Sequence, residues 1–325
     1  MGNGKLKPVT EEEWSQVNKV NQQIAKEFLR QSQLSPNTLK QYQSAVQIFF
    51  RWVMQELDNK PLNELKPRHG LSYQNFLVEE GLSPNAVKFK RSVVSSLCGF
   101  VEVFMDDEFP TFRNIFNKKV PNVAKTNVRE KIPITSEEYK KLCDELEKRE
   151  EWQMLAFLKF TYFSGCRKSE VHQLLKEVVT YDKVKDRDGN YKPYYQTHNV
   201  RAKGKGREGR LTKLIFDDEV KQALEKWLSV RGDDCCEFMF VTKKKNGEVK
   251  HIDKSTFNYW ASNTFSEILG REIWVHLIRS SRATNIVVEE GKSIEAAQVL
   301  LGHSSSETTK IYVVRDHDDD LDELF

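Results

Sequence analysis

Four separated segments of the chain concentrate residue types that can act on a phosphate ester. They read SGCRKSEVHQL at 164–174, AKGKGREGRLTKL at 202–214, HLIRSSRATN at 276–285 and LLGHSSSETTKIY at 300–312. A phosphodiester is negatively charged and repels a nucleophile, but guanidinium groups can bind its non-bridging oxygens and stabilise the transition state. A tyrosine hydroxyl can then attack phosphorus, and a lysine can protonate the leaving oxygen. Together, the four segments contain the functional groups for phosphodiester cleavage.

The same four segments resemble motifs of the tyrosine recombinases, the phage integrase family. The first is similar to the family's first-arginine motif and the second to its lysine-bearing β-turn. The third is similar to its His-x-x-Arg helix start. The fourth resembles its final box, with nine positions from His303 to Tyr312. The order and spacing of the boxes across residues 160–313 also fit. Because four boxes in order are far more specific than one, the resemblance implies the tyrosine-recombinase fold.

The resemblance implies a role for each matching residue. Arg167 and Arg279 would bind the oxygens of the scissile phosphate. Tyr312 would be the nucleophile and would form a 3′-phosphotyrosine link. In the family this covalent link stores the bond energy for rejoining, so neither ATP nor a metal ion is required. We therefore expect no cofactor and no metal site.

The remaining groups would handle protons and hydrogen bonds at the same phosphate. Alignment backward from Arg210 assigns the protonation of the leaving 5′-oxygen to Lys205, with Lys203 as the near alternative because the turn reads KGKG. His276 and His303 would serve as acid, base or hydrogen-bonding groups.

The third segment departs from the family pattern. Where the common box has a second histidine, this chain has Ser280, and Arg282 adds a charge on an early helical turn. This charge either perturbs the pocket or points to solvent. The end of the chain is also unusual, since residues 316–325 contain six acidic residues and no Lys or Arg.

The elements that would carry these segments form a mainly helical domain with a small sheet, predicted at residues 134–325. Helices are predicted at 136–149, 151–163, 218–230, 255–268, 278–289, 293–301 and 306–313. Strands are predicted at 192–203 and 209–216, and a hairpin is centred on Asn246-Gly247. This pattern is not the βα alternation of a parallel sheet.

Residues 1–117 are predicted to form a bundle of about four helices, which resembles the helical, SAM-like core-binding domain of the family. The first helix covers 10–31, with Thr10 and Glu13 as a capping box. The segment LSPN occurs at 34–37 and 82–85, where Ser suits an N-cap and Pro the first helical position. A further helix is predicted at 72–81, ending at Gly81. Residues 118–133 are predicted to be a basic linker between the two domains.

Basic residues on the bundle, the linker and the lysine turn are candidate contacts to a nucleic-acid backbone. For each of them, the alternative is an ordinary solvated face. The candidates are Lys40, Lys88, Lys90, Arg91, Lys118, Lys119, Lys125, Lys203 and Arg207.

The overall composition is compatible with a polyanionic partner. The net charge is only +3, but the acidic end hides the basic character of residues 1–315, which carry +9. The five cysteines show no disulfide or zinc spacing, and no apolar run is long enough to span a membrane. We expect a cytoplasmic protein, at the bacterial nucleoid or in a phage-infected host.

These observations lead to one expected function and two alternatives. The first is sequence-specific binding of double-stranded DNA with site-specific recombination of the phage or mobile-element integrase type, by dimers or tetramers on the DNA. The second is an integrase-fold transcriptional regulator, such as a phage lysogeny repressor, with little or no catalytic activity. A topoisomerase that nicks and reseals would use the same groups.

Overall fold

The computed structural model describes residues 6–30, 34–116, 120–121, 123, 132–204 and 208–302. The chain forms two compact units, and the main division between them lies near residue 130. Each has its own apolar core. The predicted helix at 306–313 and most of the predicted linker lie outside the described residues.

The described residues of the first unit form a helical bundle, as predicted, with five α-helices where about four were expected and one 3-10 turn, Leu62–Glu64. Its helices are α1 (Glu11–Gln16), α2 (Lys19–Phe28), α3 (Pro36–Glu56), α4 (Pro67–Glu79) and α5 (Pro84–Phe104). Aromatic side chains fill the core between α3 and α4, where the rings of Phe49 and Tyr73 lie 4.9 Å apart in an edge-to-face arrangement.

The prediction of a single helix at 10–31 is wrong, because the helix is interrupted at Val17 and Asn18. The capping box is present, since Thr10 Oγ1 accepts from the backbone N–H of Glu13 at 3.1 Å. Asn18 then begins a new helix, and its side chain accepts from Asn21 N at 2.9 Å. The amide of Asn18 also donates to the carbonyl of Asn59 at 2.5 Å. This partner is 41 residues away, so local sequence does not reveal it.

The two LSPN segments begin helices in the predicted way. Ser35 accepts a hydrogen bond from Thr38 N at 3.2 Å, and Ser83 accepts one from Ala86 N at 3.3 Å. The proline after each serine is the first helical residue. The intervening helix was predicted to start at 72 but starts at Pro67, because this proline also occupies a first-turn position.

Helix α7 lies at the centre of the second unit. Its helices are α6 (Ser136–Lys148), α7 (Trp152–Ser164), α8 (Lys168–Val171), α9 (Asp218–Arg231), α10 (Lys254–Tyr259), α11 (Ser266–Leu269), α12 (Val275–Val288) and α13 (Ile294–Leu301). Helix α7 is apolar on nearly every face and contacts α6, α9 and α12. A π-helical turn, Trp260–Phe265, separates α10 from α11 where one helix was predicted.

The two long strands predicted at 192–203 and 209–216 are each interrupted. Strands β1 (Lys183–Lys185), β2 (Tyr191–Gln196) and β5 (Ile215–Phe216) form an antiparallel sheet in the order β1-β2-β5. Strands β3 (Val200–Ala202) and β4 (Arg210–Thr212) form a separate hairpin.

Thr197 lies at the interruption between these two sheets. Its hydroxyl accepts from Leu214 N at 3.0 Å, and its own N–H donates to the Leu214 carbonyl at 2.9 Å. The side chain thus replaces a ladder hydrogen bond where the strands change direction.

The predicted hairpin around Asn246-Gly247 is confirmed. It joins β6 (Val241–Lys243) to β7 (Val249–His251), and Gly247 has a φ of 83°. The fold class is confirmed as well: the protein is mainly helical with small sheets, and a helical N-terminal domain precedes an α+β domain.

Candidate active site

Arg167 is held at the start of α8 by a buried carboxylate. Gly165 ends α7 with a φ of 58°, and this left-handed turn redirects the chain into Arg167. Glu170 accepts from the backbone N–H of Arg167 at 2.7 Å and from its guanidinium at 3.0 Å. The Glu170 side chain is 3% exposed, whereas 23% of the Arg167 side chain reaches solvent. The carboxylate therefore fixes a guanidinium that still reaches the surface.

Arg279 lies in α12 and is almost completely buried. Its guanidinium donates to the carbonyl of Gly165 and, at 2.9 Å, to the carbonyl of Leu301. The first carbonyl precedes Arg167 by two residues, and the second belongs to the end of α13. Arg279 therefore joins the turn that carries Arg167 to the end of the last described helix.

Arg279 and Glu170, the carboxylate partner of Arg167, line a cleft of about 280 Å³ within the second unit. Side chains from α7, α8, α12, α13 and the two small sheets line it, including Cys166, Glu170, Tyr194, Arg210, Arg279 and Leu301. Burial raises the pKa of the Cys166 thiol to about 12, so this thiol is neutral at ordinary pH and unsuited to attack.

His276 is exposed on the first turn of α12, three residues before Arg279. This spacing places the two residues on adjacent turns of the same helix face. Lys203 is exposed directly after β3. Gly302 also lines the cleft, and the final box follows it in the chain. Among the residues predicted in the lysine turn and the final box, Lys205, Arg207, His303 and Tyr312 lie outside the described ranges.

Arg282 neither lines the cleft nor points simply to solvent. Its side chain is 15% exposed and forms an ion pair with Glu290. The guanidinium lies over the rings of Tyr162 and Phe163, with its central carbon 5.7 and 5.9 Å from the ring centroids. The charge that Arg282 adds to the third segment is thus neutralised by Glu290, beside the aromatic rings at the end of α7.

The basic residues predicted on the first unit have different surroundings. Lys40 and Lys88 are exposed near the starts of α3 and α5. Lys90 is half-buried, and burial lowers its pKa.

Arg91, in contrast, is engaged within the unit itself. It donates to Gln74 Oε1 at 2.6 Å and to the carbonyls of Val120 and Pro121 at 2.8 and 2.6 Å. These hydrogen bonds indicate that Arg91 holds the backbone of Val120 and Pro121 against the first unit. Lys118, Lys119 and Lys125 fall outside the described residues.

No described helix is long and apolar enough to cross a membrane. Within the described ranges, no three His, Cys, Asp or Glu side chains come together as a metal site would need.

Comparison with known families identifies the family to which the chain belongs. The family described as "Phage integrase family" matches residues 133–318, which is more than half of the chain. The chain belongs to the phage integrase family of tyrosine recombinases. The integrase N-terminal SAM-like domain matches residues 22–108, so this integrase-family protein carries both domains that the sequence motifs imply.

Individual relatives of this integrase-family chain cover nearly all of it. A recombinase-like protein derived from the SPbeta prophage of Bacillus subtilis, YomM, is 32% identical over 99% of this chain and 95% of its own length. A tyrosine recombinase of Thermosipho africanus is 25% identical over 86% of this chain and 89% of its own.

Two solved structures share the fold of this integrase-family chain. The Tn1549 transposon integrase in complex with circular intermediate DNA has a TM-score of 0.65 and 17% identity, covering 94% of this chain and 99% of that one. A lambda integrase dimer bound to a core site has a TM-score of 0.62 and 19% identity, covering 95% and 81%. At these identities, the likeness concerns the fold alone.

Proposed function

We propose that this protein is a site-specific tyrosine recombinase that cleaves and rejoins duplex DNA through a 3′-phosphotyrosine intermediate. The supporting observation is that Arg279 donates to the carbonyl of Gly165, two residues before Arg167, and that Arg279, Glu170 (the partner of Arg167) and Gly302 line one cleft. The final box, with His303 and Tyr312, follows directly in the chain. The named relatives are recombinases or recombinase-like, and they give no support to the regulator alternative.

In this reaction, Arg167 and Arg279 bind the non-bridging oxygens of the scissile phosphate and stabilise the charge of the transition state. The oxygen of Tyr312 bonds to phosphorus while the bond from phosphorus to the 5′-oxygen breaks. The tyrosine loses its proton to a basic group, for which His276 and His303 are the candidates. Lys205, or Lys203 as its alternative, protonates the departing 5′-oxygen. Rejoining reverses these steps, because the phosphotyrosine link conserves the bond energy.

We propose that the two units have different roles, DNA binding in the first and catalysis in the second. Residues 1–117 form the proposed DNA-binding domain, residues 118–133 the linker, and residues 134–325 the catalytic domain. Lys40 and Lys88 would contact phosphates from the exposed starts of α3 and α5. The lambda integrase structures contain a dimer and a tetramer on DNA, and we propose that this chain also assembles on its site.

The test is a covalent capture experiment. A duplex recovered by in vitro selection is nicked beside the cleavage position, so that the leaving strand is lost and the adduct accumulates. The expected result is a protein–DNA adduct that survives denaturation and disappears in Tyr312→Phe, with DNA affinity retained. Tight binding without an adduct would refute the proposal in favour of a regulator. An adduct with plasmid relaxation, but no strand exchange between two sites, would favour a topoisomerase.

A further inference from the structure

Arg210, at the start of β4, reaches across the cleft to the end of α13. Its guanidinium donates to the carbonyl of Gly302. In the hairpin register, Arg210 lies opposite Ala202, while Arg201 lies opposite Leu211. Paired residues share a face and successive residues alternate, so Arg210 lies on the face of buried Ala202 and Arg201 on the other. The cleft-facing side of this strand therefore carries a cation at its first residue.

Two arginines thus hold consecutive backbone carbonyls at the end of α13. Arg279 donates to Leu301, and Arg210 donates to Gly302. The last carbonyls of a helix have no partner within the helix, so they are available to such donors. Gly302 has a φ of 60°, and a Cβ placed on it would overlap the Arg210 guanidinium. Glycine accommodates both the left-handed backbone and this close approach, whereas a larger residue would be strained and would displace the guanidinium from its present position.

We infer that Arg210 is a positioning residue for strand cleavage, an inference that rests on the proposed recombinase function. The strand that it begins leaves the turn carrying Lys205, and the carbonyl that it holds belongs to the residue before His303. One guanidinium thereby couples the segment bearing the proton donor to the segment bearing the nucleophile. Arg210 acts through these segments and does not bind the scissile phosphate. Its loss should lower the cleavage rate and leave DNA affinity unchanged.

The first experiment measures adduct formation and DNA binding separately in Arg210→Ala. Because a displacement of about 1 Å can cost on the order of 100-fold in rate, we expect a 10- to 100-fold slower adduct at saturating protein. The Kd and its salt dependence should remain those of the wild type. Arg201→Ala is the matched control, since it removes one cation from the opposite face of the same hairpin. A weaker Kd with a salt slope reduced by about one would reveal a phosphate contact and overturn the positioning role.

A double-mutant cycle tests the contact with Gly302 itself. Gly302→Ala alone introduces both the left-handed strain and the overlap with the guanidinium. In Arg210→Ala, the overlap is absent and only the strain remains. The combined loss in adduct rate should therefore be smaller than the product of the two single losses. Independent, multiplicative effects would contradict the inferred contact.

Hydrogen exchange separates this inference from the proposed function. In the DNA-free protein, amides in peptides covering 294–302 should exchange faster in Arg210→Ala than in wild type or Arg201→Ala. If the wild type forms no adduct, the recombinase proposal fails, and faster exchange still supports the Arg210 contact. If the wild type reacts but neither its rate nor its exchange changes in Arg210→Ala, the positioning role fails and the function stands.

Discussion

Replacing Glu170 with glutamine should separate the placement of Arg167 from its presence. The carboxylate of Glu170 accepts two hydrogen bonds from Arg167, one from the backbone N–H and one from the guanidinium. Glutamine keeps the size of the side chain but offers one oxygen and one NH₂ group. One of the two Arg167 donors would then face another donor. The guanidinium would keep its charge and lose its fixed direction.

The expected loss of stability in Glu170→Gln follows from the burial of the Glu170 side chain. A hydrogen bond to a charged group contributes about 1.5–3 kcal/mol, and Glu170 is only 3% exposed. Since 23% of the Arg167 side chain is solvent-exposed, water compensates part of the loss. We expect the free energy of unfolding to fall by about 2 kcal/mol. If the proposed role of Arg167 in binding the scissile phosphate is correct, the cleavage rate should fall by about 10- to 100-fold, because the guanidinium would lose the orientation that Glu170 imposes.

The assay combines urea unfolding with the rate of adduct formation on the nicked duplex. Glu219→Gln is the control, since Glu219 pairs with Lys159 at 2.6 Å but is 65% exposed. Its loss should cost less than about 1 kcal/mol and leave the adduct rate unchanged. If Glu170→Gln is destabilised yet cleaves at the wild-type rate, then the carboxylate supports folding only, and the reasoning about Arg167 is wrong.

Three further predictions concern the second unit. Gly165→Ala should lower the free energy of unfolding by about 1–3 kcal/mol, because the added methyl would lie 2.6 Å from the Leu301 side chain at a positive φ; unchanged urea unfolding would contradict this. Hydrogen bonds from Arg231 lower the pKa of Asp234 to about 2, so its contribution to stability is complete above about pH 4 and declines as the pH falls towards 2. Asp234→Asn should flatten the dependence of unfolding free energy on pH in this window, and an unchanged slope would be inconsistent with the ion pair. Burial and a neighbouring histidine lower the pKa of His172, so protonation favours the unfolded state and stability should fall below about pH 6.5. His172→Gln should reduce that fall, and an equally steep decline in the variant would argue against this assignment.

The parts of the fold that were predictable are those with short-range causes. The serines of both LSPN segments cap helices through backbone groups three residues away. Asn246-Gly247 forms its hairpin from the conformational preference of the pair. The interruptions at Asn18 and Thr197 depend on partners 41 and 17 residues away. The local helix and strand patterns run through both positions without a break, so they predict elements that are too long.

A similar division applies to the candidate site. The positions of Arg167 and Arg279 followed from their motifs. Their acceptors did not, because Arg279 binds backbone carbonyls 114 and 22 residues away, and any residue type supplies a carbonyl. The motif gives no structural role to Arg210, since a basic hairpin does not indicate which of its cations reaches Gly302.

The burial of Arg279 affects how sequences of this fold should be classified. Its guanidinium ties the turn at Gly165 to the end of α13, so natural selection for a folded domain alone would retain it. A descendant that had abandoned DNA cleavage and kept only DNA binding would still need this arginine. The presence of Arg279 in a sequence therefore indicates the fold of the domain and not its activity. In a lineage that lost catalysis, the first substitutions would be expected at active-site groups that folding does not require.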